Sequence, residues 1–205
     1  MDTINIETYP LHDPKSQVYK ALVKKCRTDL NEHGLFNLPG FMRPEALNKV
    51  LKQIKPIIVK DSFEHRRHHN IYFKKSIPGL EKNHPALQSL QTINHTICAD
   101  QIEGSAITKL YDWDPLASFL ADVMHKDTLH KMDDRIAGAN VMTYYEGEAL
   151  SWHFDRSEST TTILLQAPNS GGEFEYLQDL RSPYNPNYTG VAALLSGNLQ
   201  TSICP

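Results

Sequence analysis

The strongest constraint on the fold is a change of pattern after Ile136, where helical spacing gives way to short β-type segments. Alternating or β-branched residues predict four strands, at residues 140–145, 150–155, 160–166 and 173–177. The last two flank residues 169–172, Asn-Ser-Gly-Gly, a composition typical of a tight hairpin turn. Closely spaced strands of this kind predict an antiparallel β-sandwich or jelly roll.

Helical spacing dominates the earlier part of the chain. Apolar residues recur along one face of three segments and predict helices that begin at Pro14, Pro44 and Pro115. Gly34 is expected to end the first helix, and the second is expected to end near Pro56. Because there is no repeat and no linker, we expect residues 1–205 to form one α+β domain in which helices support the β-structure.

The charge and the termini exclude several classes of function. A net charge of −3 gives no electrostatic reason for binding nucleic acid or an anionic membrane, and the short basic cluster at residues 65–69 is expected to be a solvated loop. No apolar run approaches the roughly 18 residues that span a bilayer, and residues 1–7 do not resemble a signal peptide. Three widely spaced cysteines argue against a disulfide framework, so a cytoplasmic location is expected.

The tripeptide His153-Phe154-Asp155 is the strongest candidate for chemistry. Residues i and i+2 of a strand point to the same face, so the imidazole and the carboxylate are expected to converge while Phe154 and Trp152 pack into the core. One nitrogen and one oxygen ligand are two-thirds of the facial triad that binds Fe(II). The alternative for so short a motif is a hydrogen-bonded pair at the end of a strand.

The flanking sequence extends this motif. Residues 144–147, Tyr-Tyr-Glu-Gly, precede the tripeptide, and residues 160–166 with the Gly-Gly-Glu-Phe run at 171–174 follow it. In this order the segments resemble the Tyr-x-x-Gly and His-x-Asp pattern of the Fe(II)/2-oxoglutarate-dependent oxygenases, including prolyl-hydroxylase-like members. Residues 34–47 are similar to the segment with which many of these enzymes begin. Residues 152–155, 164–168 and 173–176 most resemble the bacterial free-amino-acid hydroxylases and radical halogenases.

This resemblance implies a fold and an activity. The fold would be a double-stranded β-helix, the cupin-like jelly roll, with N-terminal supporting helices. The cofactors would be Fe(II), bound by His153 and Asp155, and the co-substrate 2-oxoglutarate, which is decarboxylated to succinate as O2 is consumed. The reaction would be hydroxylation of a small polar molecule such as an amino acid or a derivative. Halogenases need an open position where the carboxylate binds, so the presence of Asp155 favours a hydroxylase.

Three further residues are candidates for the same site. Tyr144 and Asn140 are expected near 2-oxoglutarate, although Tyr144 could equally pack on the sheet. Arg156 could bind a substrate carboxylate through its planar guanidinium, or it could be a surface arginine.

The chain departs from the family pattern at its end. The family has a distal histidine as third ligand, followed by an arginine for 2-oxoglutarate, but His153 is the last of the ten histidines here. The final strands are therefore expected to be missing, either through truncation or because metal binding is weak, altered or completed by another subunit. Open strand edges would favour a homo-oligomer. The alternatives to a hydroxylase are a non-catalytic β-sandwich binding or assembly module, and another cupin-like metalloprotein, for example one that uses Zn2+ or Mn2+, or a halogenase relative.

Overall fold

The computed structural model of the chain describes residues 2–204, which contain both α-helices and antiparallel β-sheets. In chain order the elements are α1 (Gln17–His33), α2 (Pro44–Asp61), β1 (Phe63–His69), β2 (Leu90–Ile97), α3 (Ala106–Tyr111), α4 (Asp114–Val123), β3 (Val141–Thr143), β4 (Glu175–Tyr176), α5 (Tyr188–Leu195) and β5 (Ser202–Ile203). Short 3-10 helices lie at Pro85–Leu87 and Ala99–Ile102. The expectation of a mixed α and β fold is confirmed, whereas a double-stranded β-helix is not.

The first two helices show which sequence signals are reliable. Helix α1 ends at Gly34, as predicted, because a left-handed φ of 73° is easily adopted by glycine. It begins at Gln17 rather than at Pro14, since the Ser16 hydroxyl accepts a hydrogen bond from the Tyr19 amide at 3.1 Å. Helix α2 begins at Pro44, as predicted, but continues through Pro56 to Asp61. Burial of Ile58 beyond the proline accounts for the longer helix.

The chain divides into two compact units, each with its own apolar core. Unit 1 contains the residues up to Phe63 and Thr96–Met142. In its core, buried residues of α1 pack with Phe119 and Val123 of α4. Unit 2 contains Glu64–His95 and the residues from Thr143 onwards. Its core is formed by Ile71, Ala86, Leu180, Val191 and Leu194.

Two sheets are present among the described residues. The first sheet has the strand order β1-β2-β3, with β2 in the centre. Each boundary between the two units falls within one of these strands. Strand β1 covers residues 63–69, so the expectation of a solvated loop for the basic cluster is wrong. The second sheet pairs β4 with β5 in antiparallel register, with Glu175 opposite Ile203.

The predicted strands of the second half are largely wrong. Only Val141–Thr143 and Glu175–Tyr176 are strands, and residues 150–155 and 160–166 have no regular structure. The predicted hairpin at residues 169–172 is wrong: Gly171 and Gly172 have left-handed φ angles, but no strand forms over residues 160–166, and β4 pairs with β5 instead. β-branched residues favour strands when one face can be buried, and residues 160–166 are mainly exposed, Leu164 by 74%.

Within residues 2–204, no helix combines the length and the apolar character that a membrane span requires.

Candidate functional site

The segment that carries the His-Phe-Asp motif lies in unit 2 and is fixed to strand β2. The Ile93 amide donates to the Ala149 carbonyl at 3.1 Å, and the Ser151 amide donates to the Thr92 hydroxyl oxygen at 3.1 Å. The Ser151 hydroxyl donates to the Gln91 carbonyl at 2.5 Å. The segment is therefore held beside β2 although it is not a regular strand.

Alternate side chains of this segment are anchored in the core of unit 2. Trp152 and Phe154 pack against the buried cluster of that unit, as the sequence predicts. The Phe154 amide also donates to the Ile71 carbonyl at 3.2 Å. These contacts position the intervening residue, His153, and its neighbour Asp155.

His153 and Asp155 converge as the i, i+2 spacing predicts. The distance from His153 Nε2 to Asp155 Oδ1 is 3.1 Å, and the imidazole and carboxylate side chains are 25% and 51% exposed. The pair is therefore open to a small ligand from solvent.

The backbone determines which nitrogen of His153 carries a proton. Nδ1 lies 2.9 Å from the Ser151 carbonyl oxygen, which can only accept, so Nδ1 is the donor. In the neutral imidazole Nε2 then presents a lone pair to Asp155 Oδ1, which is also an acceptor. Two facing lone pairs at this distance require a cation between them, either a proton on Nε2 or a metal ion.

The second oxygen of Asp155 is also engaged. The Thr160 hydroxyl donates to Oδ2 at 2.7 Å, and the Arg181 guanidinium donates to the backbone carbonyl of Asp155 at 3.4 Å. The Arg181 guanidinium carbon lies 4.1 Å from the centre of the Phe154 ring. These contacts fix the orientation of the carboxylate and leave Oδ1 directed at His153.

The ring of Phe73 contacts His153 and three other ionisable side chains. Its ring stacks on His69 with centroids 4.6 Å apart and meets the His153 ring edge-on at 6.1 Å. The guanidinium carbons of Arg67 and Arg156 lie 4.7 Å and 5.0 Å from the same ring centre. Four ionisable side chains therefore surround one aromatic ring.

Asn70 holds the turn that presents this ring. Its side-chain oxygen accepts hydrogen bonds from the amides of Tyr72 and Lys74, and its side-chain nitrogen donates to the Lys74 carbonyl at 2.6 Å. Phe73 lies inside this turn with a φ of 55°, a left-handed conformation that costs about 1–3 kcal/mol for a residue with a side chain.

His69 has the opposite hydrogen-bond pattern to His153. Nδ1 donates to the Asn70 carbonyl at 3.1 Å, and Nε2 accepts from the buried hydroxyl of Thr92 at 2.8 Å. Desolvation, followed by the nearby positive charge of Arg67, lowers the pKa of His69 below its ordinary value of 6.5. This imidazole is neutral and fully partnered, so it needs no cation.

The other predicted residues are placed as follows. Arg156 is exposed and contacts Phe73, which brings it to the His153–Asp155 pair. Tyr144 lies in unit 2 and is 40% exposed, and desolvation of the remainder raises its pKa so that the phenol keeps its proton. Asn140 lies in unit 1.

Arg67, Phe73 and Thr92 contribute to the site but were not singled out from the sequence. Thr92 lies 59 residues before Ser151, and Phe73 lies 80 residues before His153, whereas Arg67 reaches the site through Phe73. The basic run at residues 65–69 is the sequence signal for Arg67, but its composition alone predicts a solvated loop.

Two further observations concern metal binding: the number of possible ligands, and a second histidine–carboxylate pair in the same unit. No group of three or more His, Cys, Asp and Glu residues that could hold a metal occurs within residues 2–204, so His153 and Asp155 are a two-ligand pair. A second histidine–carboxylate pair lies in unit 2, where His95 Nε2 and Glu148 Oε1 are 3.2 Å apart. Glu148 also accepts from the Tyr145 amide at 2.9 Å, which ties this second pair to a local turn.

Comparison with protein-family models, with curated proteins and with solved structures finds no match to this chain.

Proposed function

We propose that the chain is an Fe(II)/2-oxoglutarate-dependent oxygenase that hydroxylates a small polar molecule, with His153 and Asp155 as ligands of the iron. The observation that carries this proposal is the 3.1 Å approach of His153 Nε2 to Asp155 Oδ1. A double-stranded β-helix, and association of copies through open strand edges, belong to the same proposal.

The separation of the two atoms fits a metal ion. With metal–ligand bonds of about 2.1 Å at a right angle, the two donor atoms lie about 3 Å apart. The hydrogen bond from His153 Nδ1 to the Ser151 carbonyl leaves Nε2 free to coordinate, and the Thr160 hydroxyl holds the second carboxylate oxygen. Partners of this kind on the far side of each ligand are usual at metal centres.

Two protein ligands leave several coordination positions open for small molecules. When bound, Fe(II) and 2-oxoglutarate would allow O2 to act as the oxidant, with one oxygen atom entering succinate as 2-oxoglutarate loses CO2 and the other entering the hydroxylated substrate. The residues of the chain bind, orient and shield the reactants. Tyr144, with its phenol protonated, is proposed to donate a hydrogen bond to 2-oxoglutarate, and Asn140 stays a prediction for the same role.

The first test is metal binding, with the His95–Glu148 pair as a matched control. Titration with Fe(II) under anaerobic conditions, or with Mn(II) followed by electron paramagnetic resonance, is expected to show one ion per chain. H153A and D155A should each weaken binding by at least about tenfold, because each removes one of two ligands. H95Q changes a comparable pair in the same unit and should leave the affinity unchanged.

The second test is turnover. Succinate formation that requires Fe(II), O2 and 2-oxoglutarate, and that D155A abolishes, would support the proposed activity. Metal binding that D155A leaves intact, or that H95Q abolishes instead, would contradict the assigned ligands. Iron bound at His153 and Asp155 without succinate formation would favour the non-catalytic binding module.

A further inference from the structure

The two carboxylate oxygens of Asp155 have different partners. Oδ1 lies 3.1 Å from Nε2 of His153, the other proposed metal ligand, whereas Oδ2 accepts a hydrogen bond from the Thr160 hydroxyl at 2.7 Å. A carboxylate binds a metal ion through one oxygen or, by chelation, through both. Which of the two modes is used determines how many positions of the metal ion stay open to other molecules.

The hydrogen bond from Thr160 opposes chelation. A hydrogen bond to an ionised carboxylate is stronger than one between neutral groups, and 2.7 Å is a usual length for a hydroxyl donor of this kind. A chelating carboxylate turns both oxygens toward the metal ion, so Oδ2 of Asp155 would have to leave the Thr160 hydroxyl. The loss of this hydrogen bond offsets part of the gain from a second metal–oxygen bond.

The backbone around Asp155 is also held in place. The preceding residue, Phe154, packs against the core of unit 2, and the Asp155 carbonyl accepts from the Arg181 guanidinium at 3.4 Å. Thr160 follows five residues after Asp155, and Ser157 Oγ lies 3.5 Å from its hydroxyl oxygen. The Thr160 hydroxyl therefore closes a short loop on Oδ2, and rotation of the carboxylate is the movement that this hydrogen bond restricts.

We propose that Thr160 is a positioning residue: by holding Oδ2, it restricts Asp155 to coordination through Oδ1 and keeps one further position of the metal ion open to an exchangeable ligand. The inference rests on the proposed metal site at His153 and Asp155. It assigns the Thr160 hydroxyl a role in the number of open positions rather than in the presence of the site.

The test is to count the water molecules bound to Mn(II) on the full chain. Around an ion with about six positions, His153 and one oxygen of Asp155 leave about four for water, whereas chelation leaves about three. T160V keeps the shape of the side chain but removes the donor, so it is expected to lose one bound water and to bind Mn(II) at least as tightly as the wild type. Broadening of the Mn(II) electron paramagnetic resonance signal in water enriched with the magnetic oxygen isotope gives the count, and a titration gives the affinity.

Three variants accompany T160V. T160S retains the hydroxyl and is expected to have the wild-type number of bound waters. T161V makes the same change at the next residue, which is also exposed, and should behave as the wild type. Because Thr160 is exposed, T160V is expected to fold, and its circular dichroism spectrum checks this. T160A removes the same hydroxyl with a smaller side chain and repeats the measurement.

The role of Thr160 would be overturned by a wild-type number of waters in T160V and T160A, by weaker Mn(II) binding in both, or by the same loss of water in T161V. D155A separates this inference from the proposed function. If D155A binds Mn(II) as the wild type does, the metal site is wrong and the role of Thr160 fails with it. If D155A loses Mn(II) while T160V keeps the wild-type waters, only the role of Thr160 is refuted.

Discussion

At the scale of single residues, two histidines of unit 2 show how a hydrogen-bond partner determines chemistry. Both donate from Nδ1 to a backbone carbonyl. Nε2 of His69 meets the Thr92 hydroxyl, which can donate to it, whereas Nε2 of His153 meets a carboxylate oxygen, which cannot. The first histidine is structural for this reason, and the second is suited to hold a cation.

Thr92 is expected to support the site through its hydroxyl, which is fully buried and bonded to both His69 and Ser151. T92V keeps the shape of the side chain but leaves those two groups unpaired, so it should lower the free energy of unfolding by about 1–3 kcal/mol. It should also shift the ring-nitrogen NMR signals of His69. T92S retains the hydroxyl and is the control. Unchanged His69 signals in T92V would show that the hydrogen bond does not form.

The lowered pKa of His69 predicts a pH effect on stability. Because the folded state favours the neutral imidazole, the unfolded state binds more protons below the ordinary pKa of 6.5. The stabilisation is complete above that pH and is lost as the pH falls through the lower, folded-state pKa. Urea unfolding at about pH 7.5 and about pH 5.5 should show a larger loss for the wild type than for H69Q. An equal loss in both proteins would refute this assignment.

At the scale of elements, the helices were largely predictable and the strands were not. A glycine at the end of α1 and a proline at the start of α2 act within one helical turn, so the sequence contains the whole signal. Strands depend on partners elsewhere in the chain. The composition of residues 150–155 predicts a strand, but the partners of Ser151 in this segment are Gln91 and Thr92, about 60 residues earlier in the chain. For the same reason His153 and Asp155 were found from local spacing, while Arg67 and Phe73 were not.

The packing of α1 on α4 includes a partly buried side-chain hydrogen bond. The hydroxyl of Tyr19, whose ring is 4% exposed, donates to Asp122 Oδ2 at 2.5 Å, and desolvation with this hydrogen bond raises the pKa of Tyr19. Y19F keeps the ring but removes the donor, so it should reduce the free energy of unfolding by about 1–2 kcal/mol in a urea titration. Y184F, in which the tyrosine is 97% exposed, is the control and should have no effect.

At the scale of the whole molecule, the two units are interleaved in sequence. Each boundary between them falls within a strand, β1, β2 or β3, and neither unit is a continuous stretch of chain. Disruption of one unit is therefore expected to disrupt strands that continue into the other.

This organisation predicts one cooperative unfolding transition. The chain has two tryptophans, Trp113 against the core of unit 1 and Trp152 against the core of unit 2. W152F and W113F therefore leave a fluorescent reporter for one unit each. Far-UV circular dichroism and tryptophan fluorescence should give the same urea midpoint within each variant. A fluorescence transition that clearly precedes the circular dichroism transition would show that the units unfold separately.

The left-handed backbone of Phe73 has a consequence for protein engineering. Redesign for stability alone would place glycine or asparagine there, since both adopt this conformation at lower cost than phenylalanine. Either replacement would remove the aromatic surface shared by Arg67, Arg156 and His153. The substitution that relaxes the backbone most would thus leave a folded chain in which the two arginines and His153 no longer contact a common side chain.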